Sequence, residues 1–160
     1  MESQFSKTRK IAISAIIAAL YIVIMQFTQP ISFGSFQIRI ATALYALGYL
    51  FPFITIPMGL ANAFANSLGP LGLPDIIGGL FIGMIVPGAC ALVRRFNLSP
   101  LFVIPIVIFA PGLIVPLWLA PIFGLPYWLV VFRLCIGQAV PAVVGYLLVR
   151  TLAKTNIHMQ

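Results

Sequence analysis

Between Lys10 and Arg150 the chain carries only five charged side chains: Arg39, Asp75, Arg94, Arg95 and Arg133. Long apolar runs fill the intervals, from Ile11 to Thr28, Ile76 to Val93, Leu101 to Leu119 and Tyr127 to Val149. A surface in water needs charged groups to cover it, and soluble domains devote about 25% of their residues to them. Here the share is 7%, against 62% hydrophobic, in 160 residues. Lipid must therefore be the solvent for most of the surface. The chain reads as an all-α, multi-pass integral membrane protein with a single transmembrane domain over residues 1–160 and no separate soluble module.

The net charge of +7 raises the question of nucleic acid, and the placement of the charges answers it. Lys7, Arg9 and Lys10 precede the first apolar run, Arg94 and Arg95 follow the middle one, and Arg150 and Lys154 close the chain. Basic clusters at span ends are the signature of cytoplasmic loops, and no soluble module is left to bind nucleic acid. The basic N-terminus followed by an apolar stretch resembles a signal peptide. No small-residue cleavage site follows, so it reads as a retained anchor. Cys90 and Cys135 both fall inside apolar segments at different depths and read as buried small hydrophobes rather than a disulfide.

Residues 38–69 are harder to divide, because Pro52 and Pro57 interrupt them. Two spans of about 16 residues would each be only about 24 Å long, against a hydrocarbon core of about 30 Å. Two short helices around Pro52 and one re-entrant hairpin both fit. Either way the N-terminus, the Arg94–Arg95 turn and the C-terminus share one side, the cytoplasm. Trp118, Tyr127 and Trp128 then line up at the outer interface, where amphipathic rings prefer to sit.

With that orientation, Arg39, Asp75 and Arg133 all lie in the outer half. Asn62 and Asn66, four apart on one helical face, approach the same level, and Gln29 and Gln37 lie in the outer connector. Ionisable groups inside spans are costly and usually face a protein interior or a water-filled cavity. Three charges and several amides at one depth point to an outward-opening polar pocket. Each residue also has a plainer reading. Arg39 suits a snorkelling anchor, Asp75 a helix N-cap behind Pro74, and the two asparagines interhelical glue.

Small residues form two further patterns. Ala12, Ala15 and Ala19 recur along the first segment and would let another helix approach closely, whether internal or from a partner. Gly79 and Gly83 read as internal packing. The chain has no phosphate-binding loop, no Cys/His cluster and no His-Glu metal pattern. Its single histidine, His158, lies in the tail. A catalytic acid–base pair would have to be built from Asp75 and little else, so neither an enzyme nor a cofactor or metal site is expected. Any ATP-driven work would need a partner to hydrolyse the nucleotide.

Two stretches, "ISFGSFQIRIATAL" (31–44) and "GLANAFANSLGPLGLPDIIGGLFIG" (59–83), resemble the paired motifs of the QueT family. These are substrate-binding S-components of energy-coupling factor (ECF) transporters associated with queuosine precursors. The likeness in hydropathy covers nearly the whole chain. The resemblance implies a six-helix bundle with cytoplasmic termini in the prokaryotic cell membrane. It also implies a ligand held at the outer face and partnership with a transmembrane T subunit and two ATPases. Arg39, Asn66 and Asp75 match the ligand positions, with Asn62 nearby, and Gln37 and Arg133 are added from their level. Ala15 and Ala19 match the stripe that meets the T subunit, and Ala12 is added as the same recurrence along the segment. One position departs from the pattern. Where related sequences read Arg-Ile-Ser-Glu-Ala-Leu, this chain has Thr42 in place of the glutamate, which leaves the precursor open.

For a 7-deazaguanine base, a carboxylate is the natural acceptor for two adjacent N–H donors, a role that suits Asp75. Two other classes of function fit the same residues: a self-sufficient homo-oligomeric carrier or channel for a small polar solute, and a membrane scaffold whose polar cluster only fixes helix packing.

Overall fold

A computed structural model describes residues 5–34 and 36–157, so Glu2 and His158 lie outside the described residues. Among these residues the chain is all helical, with no strand. Helix α1 (Lys7–Phe27) starts at Ser6, whose side chain accepts the backbone N–H of Arg9. It ends at Thr28, whose hydroxyl donates to the Ile24 carbonyl at 2.7 Å. A single helical turn, α2 (Gln29–Ser32), leads into the connector.

Next come a ten-residue 3-10 helix (Ile40–Tyr49) and α3 (Thr55–Ser67), joined through a 3-10 turn at Pro52–Ile54. Helix α4 spans Leu73–Arg95. Helices α5 (Val103–Ile114) and α6 (Pro116–Phe123) meet at Val115, and α7 spans Tyr127–Ile157. Three helices are long and apolar enough to cross a membrane: Lys7–Phe27, Leu73–Arg95 and the Tyr127–Thr155 part of α7. A fourth candidate is the pair Pro100–Ile114 and Pro116–Phe123, bent by 44°. Pro87, Pro111, Pro121 and Pro141 sit inside helices without ending them, as membrane packing allows.

The two segments around Pro52 run in opposite directions. Lys10 lies over the Phe53 ring at 5.8 Å and Arg94 over the Tyr49 ring at 5.3 Å, so the end of the 3-10 helix shares one pole of the bundle with the start of α1 and the end of α4. Its beginning, at Arg39, lies at the other pole beside Asp75 on the first turn of α4. Helix α3 then returns, bringing Asn66 back to Asp75. Of the alternatives for residues 38–69, the arrangement is two short helices around Pro52.

Ten residues cover this distance because a 3-10 helix rises about 2.0 Å per residue, some 20 Å in all, where an α-helix would cover about 15 Å. From Ala41 to Tyr49 every residue is buried, so this short element is wrapped by its neighbours and does not itself have to match the bilayer. Small residues permit the wrapping. Gly48 lies against the Pro87 backbone of α4, and Gly145 of α7 lies against Ala43 and Ala46.

The same contacts set the direction of α7. Thr42 meets Gln138, and Ala43 and Ala46 meet Gly145, so α7 runs alongside the 3-10 helix and carries Arg150 and Lys154 to the Lys10–Arg94 pole. The basic residues flanking the apolar runs therefore gather at one end, and Arg39 and Asp75 stand at the other.

Candidate functional site

Asp75 is the third residue of α4, and Gly72 rather than Asp75 occupies the N-cap. Its side chain does not cap the helix. Oδ2 accepts from Nη2 of Arg39 at 3.2 Å, and Oδ1 accepts from the indole Nε1–H of Trp118 at 3.1 Å. The N-cap reading thus gives way to an ion pair, because the 3-10 helix and α6 bring stronger donors than the helix's own backbone. Asp75 is 0% exposed, so neither charge is solvated and each depends on the other.

Arg39 is buried as well, and snorkelling to an interface does not describe it. Its Nη1 donates to Oδ1 of Asn66 at 3.3 Å, and its guanidinium lies over the Phe33 ring at 5.2 Å, a cation–π contact. Asn66 in turn donates from Nδ2 to the Asp75 carbonyl at 2.8 Å. Arg39, Asn66 and Asp75, drawn from three elements, close into one bonded ring.

Asn62, one turn earlier on α3, serves a second group. Its Oδ1 accepts from the Tyr21 hydroxyl at 3.0 Å, and its Nδ2 donates to the Gly79 carbonyl at 2.8 Å. Tyr21 also shares a 2.9 Å hydrogen bond with the hydroxyl of Tyr45, the two rings stacked at 5.4 Å. Gly79 lets both asparagines approach α4, since a Cβ there would meet their side chains. Both ends of both amides are engaged, and they bind α3 to α4.

Two donors remain unsatisfied beside this ring. Gln37 Nε2 and Arg39 Nε are buried and have no hydrogen-bond partner among the described residues. A buried donor left unpaired costs about 1–3 kcal/mol. Gln37 is also held at φ 45°, a left-handed conformation uncommon for a side-chain-bearing residue. The turn is fixed by Gln37 N–H donating to the Gly34 carbonyl and Ile38 N–H to the Ile31 carbonyl. Its outer side rests on Gly137 of α7, where a Cβ would strike the Phe36 carbonyl. A strained backbone that buries an unsatisfied amide is the kind of arrangement that collects at binding sites.

Thr42 and Gln138 extend the group. Thr42 Oγ1 lies 2.7 Å from the Arg39 carbonyl and 2.6 Å from Oε1 of Gln138, sharing one hydroxyl proton between them. Both residues are buried.

Arg133 stands apart from the bonded ring. It is half-buried, and it makes no hydrogen bond or ion pair among the described residues. Four residues before Gly137, it shares the α7 face that rests on the 36–37 turn. Trp118, expected at the outer interface, instead turns its N–H inward to Asp75, with its ring against Gly78. An indole N–H turned into the protein needs a partner, and the Asp75 carboxylate supplies it. Trp128, by contrast, is 72% exposed. Trp118, Tyr21, Tyr45, Thr42 and Gln138 are therefore site or network residues beyond those expected from the sequence.

On another face, α1 and α3 frame an open apolar groove of about 650 Å³, lined by Ser14, Ala15, Ala18, Pro57 and Leu60 among others. All three alanines of the stripe are exposed; Ala15 lines the groove, and Ala12 and Ala19 lie outside its lining.

A family model, that of the QueT transporter, matches residues 11–154. No curated protein and no solved structure matches the chain.

Proposed function

The chain belongs to the QueT transporter family, and from that membership we propose that it is the substrate-binding S-component of an ECF-type uptake system for a queuosine precursor or a similar small vitamin-like molecule. The family match and several apolar helices make it a membrane protein of a transporter family. The observation that carries the finer reading is the Arg39–Asp75–Asn66 ring, buried at the pole opposite the basic residues, with the unpaired donors of Gln37 and Arg39 beside it.

In this reading the chain is a six-helix bundle in the cytoplasmic membrane of a prokaryote, in which α5 and α6 together make one crossing. Its termini and the Arg94–Arg95 turn face the cytoplasm, by the rule that places basic residues inside. The polar ring then faces outward, where solute arrives. A flat 7-deazaguanine base would offer two N–H donors to Asp75, whose oxygens have acceptor capacity beyond their two present bonds, and its own acceptors to Gln37 and Arg39. Because Asp75 is fully enclosed, Trp118 has to swing away for the base to reach it.

ATP hydrolysis falls to two partner ATPases, joined through a T subunit packed on α1. The groove between α1 and α3 supports this, since small residues there allow close helix approach.

The test is affinity purification of the full chain in mild detergent, with mass spectrometry of both the co-purifying proteins and the retained small molecule. ATPases and a deazapurine in the same fraction support the reading. A symmetric oligomer of this chain alone, without ATPases, would replace it with a self-sufficient carrier. A monomer that retains nothing would favour a packing role for the polar ring.

A further inference from the structure

Asp75 and Glu2 are the chain's two acidic residues. The carboxylate of Asp75 is already neutralised by Arg39 at 3.2 Å, and Glu2 lies outside the described residues. Apart from Arg133, the polar side chains around the ring, among them Asn62, Asn66, Gln37, Thr42, Gln138 and Trp118, are uncharged. The two unpaired groups, Gln37 Nε2 and Arg39 Nε, are donors and need acceptors. Arg133, on the α7 face that rests on the 36–37 turn, adds a positive charge with no acidic partner among the described residues.

From this balance we infer that the site takes a solute without a positive charge, presenting acceptor atoms to Gln37 and Arg39, and that it rejects the cationic relatives of its own substrate. A cation entering here finds no free carboxylate. It has either to compete with Arg39 for Asp75, leaving a buried guanidinium unbalanced, or to remain unpaired beside Arg133. Both are unfavourable in a dry site. An uncharged ring with carbonyl or ring-nitrogen acceptors satisfies the two orphan donors and leaves the ion pair intact. Thr42 is the position where a charge-selecting residue would act, being buried between the Arg39 carbonyl and Gln138.

This inference rests on the deazaguanine reading above, and two probes separate the two. The full chain in lipid nanodiscs is titrated calorimetrically with 7-deazaguanine carrying a nitrile at C7, and with the same base carrying an aminomethyl group, protonated at neutral pH. The nitrile base is expected to bind at least about tenfold more tightly than the aminomethyl base. Thr42→Glu should move that ratio toward the aminomethyl base by about tenfold or more. Gln37→Met should weaken the nitrile base without reversing the order.

Equal binding, or tighter binding of the aminomethyl base by the parent chain, overturns the inference while leaving the deazaguanine reading in place. Binding of neither base removes the deazaguanine reading and the inference with it. If Thr42→Glu does not yield a monodisperse protein, the parent's ratio and the Gln37→Met titration still decide the matter.

Discussion

The side chains of Arg39 and Asp75, 36 residues apart in sequence, meet at 3.2 Å with only 7% and 1% of their surfaces exposed. Removing one partner of such a pair strands the other charge in a medium that cannot solvate it, at a cost of about 3–5 kcal/mol. Asp75→Ala should therefore unfold much more readily than the parent in detergent, measured by thermal or denaturant titration. The double variant Arg39→Met, Asp75→Leu should recover most of that loss, because an apolar pair of similar volume leaves nothing unpaired. It should nevertheless retain no small molecule through purification. If Asp75→Ala proved as stable as the parent, the pair would not be a structural unit.

Trp118 donates to the second oxygen of Asp75, so its indole reports on that carboxylate. In a Trp128→Phe background, Trp118 is the remaining tryptophan. Its emission should shift when the deazaguanine base is added, as the N–H exchanges Asp75 for another environment. Trp118→Phe keeps most of the ring packing against Gly78 but leaves one carboxylate oxygen short of a donor, a loss of about 1–3 kcal/mol. An emission spectrum unmoved by saturating ligand would mean that Trp118 is a fixed wall and not a lid.

How much of this was legible in the sequence depends on what kind of signal each residue carries. Arg39, Asp75, Asn62 and Asn66 stand out because polar groups in apolar runs are expensive, and cost alone implies that they meet partners. Gln138 carries the same signal, an amide inside the Tyr127–Val149 run, and the rule applies to it equally. Trp118 could not be read this way. A tryptophan near the end of a span suits the lipid interface and an internal carboxylate alike, and only the facing Gly78 decides between them. The 3-10 form of Ile40–Tyr49 was equally hidden, since its composition suits an α-helix and the choice is made by the distance to be covered between Arg39 and the Arg94 pole. The alanine stripe on α1 shows that a close approach is possible but not where a groove opens: α3 frames one lined by Ser14, Ala15 and Ala18, and its position is not written in α1.

Glycines allow a contrast that tests the packing of the 3-10 helix. A Cβ at Gly145 would lie 2.7 Å from the Ala43 carbonyl oxygen and 2.8 Å from the Ala46 Cβ, both backbone-fixed. Gly145→Ala should destabilise by about 1–3 kcal/mol, as overpacking does. A Cβ at Gly88 meets only the Thr55 methyl at an ordinary 3.6 Å. Gly88→Ala should therefore be neutral or stabilise by up to about 1 kcal/mol through helix propensity. Parallel melting curves in one detergent settle the comparison. Equal losses at both positions would mean that α7 does not press on the 3-10 helix at Ala43.

In the proposed assembly, the groove between α1 and α3 lets partner docking be tested apart from ligand binding. Ala18 and Ala15 line it, while Ala12 and Ala19 are not part of its lining. Replacing Ala18 with Trp fills the groove with a side chain that a helix from another subunit would have to displace, and small residues are what permit such approach. Ala18→Trp should abolish co-purification of the proposed T subunit and ATPases. Affinity for the small molecule should be unchanged, because Ala18 has no bond to the Arg39–Asp75 ring. Ala12→Trp and Ala19→Trp should weaken co-purification less. Should Ala19→Trp alone abolish it, the docking face would be the outer stripe of α1, with the helix rather than the groove as the recognised surface.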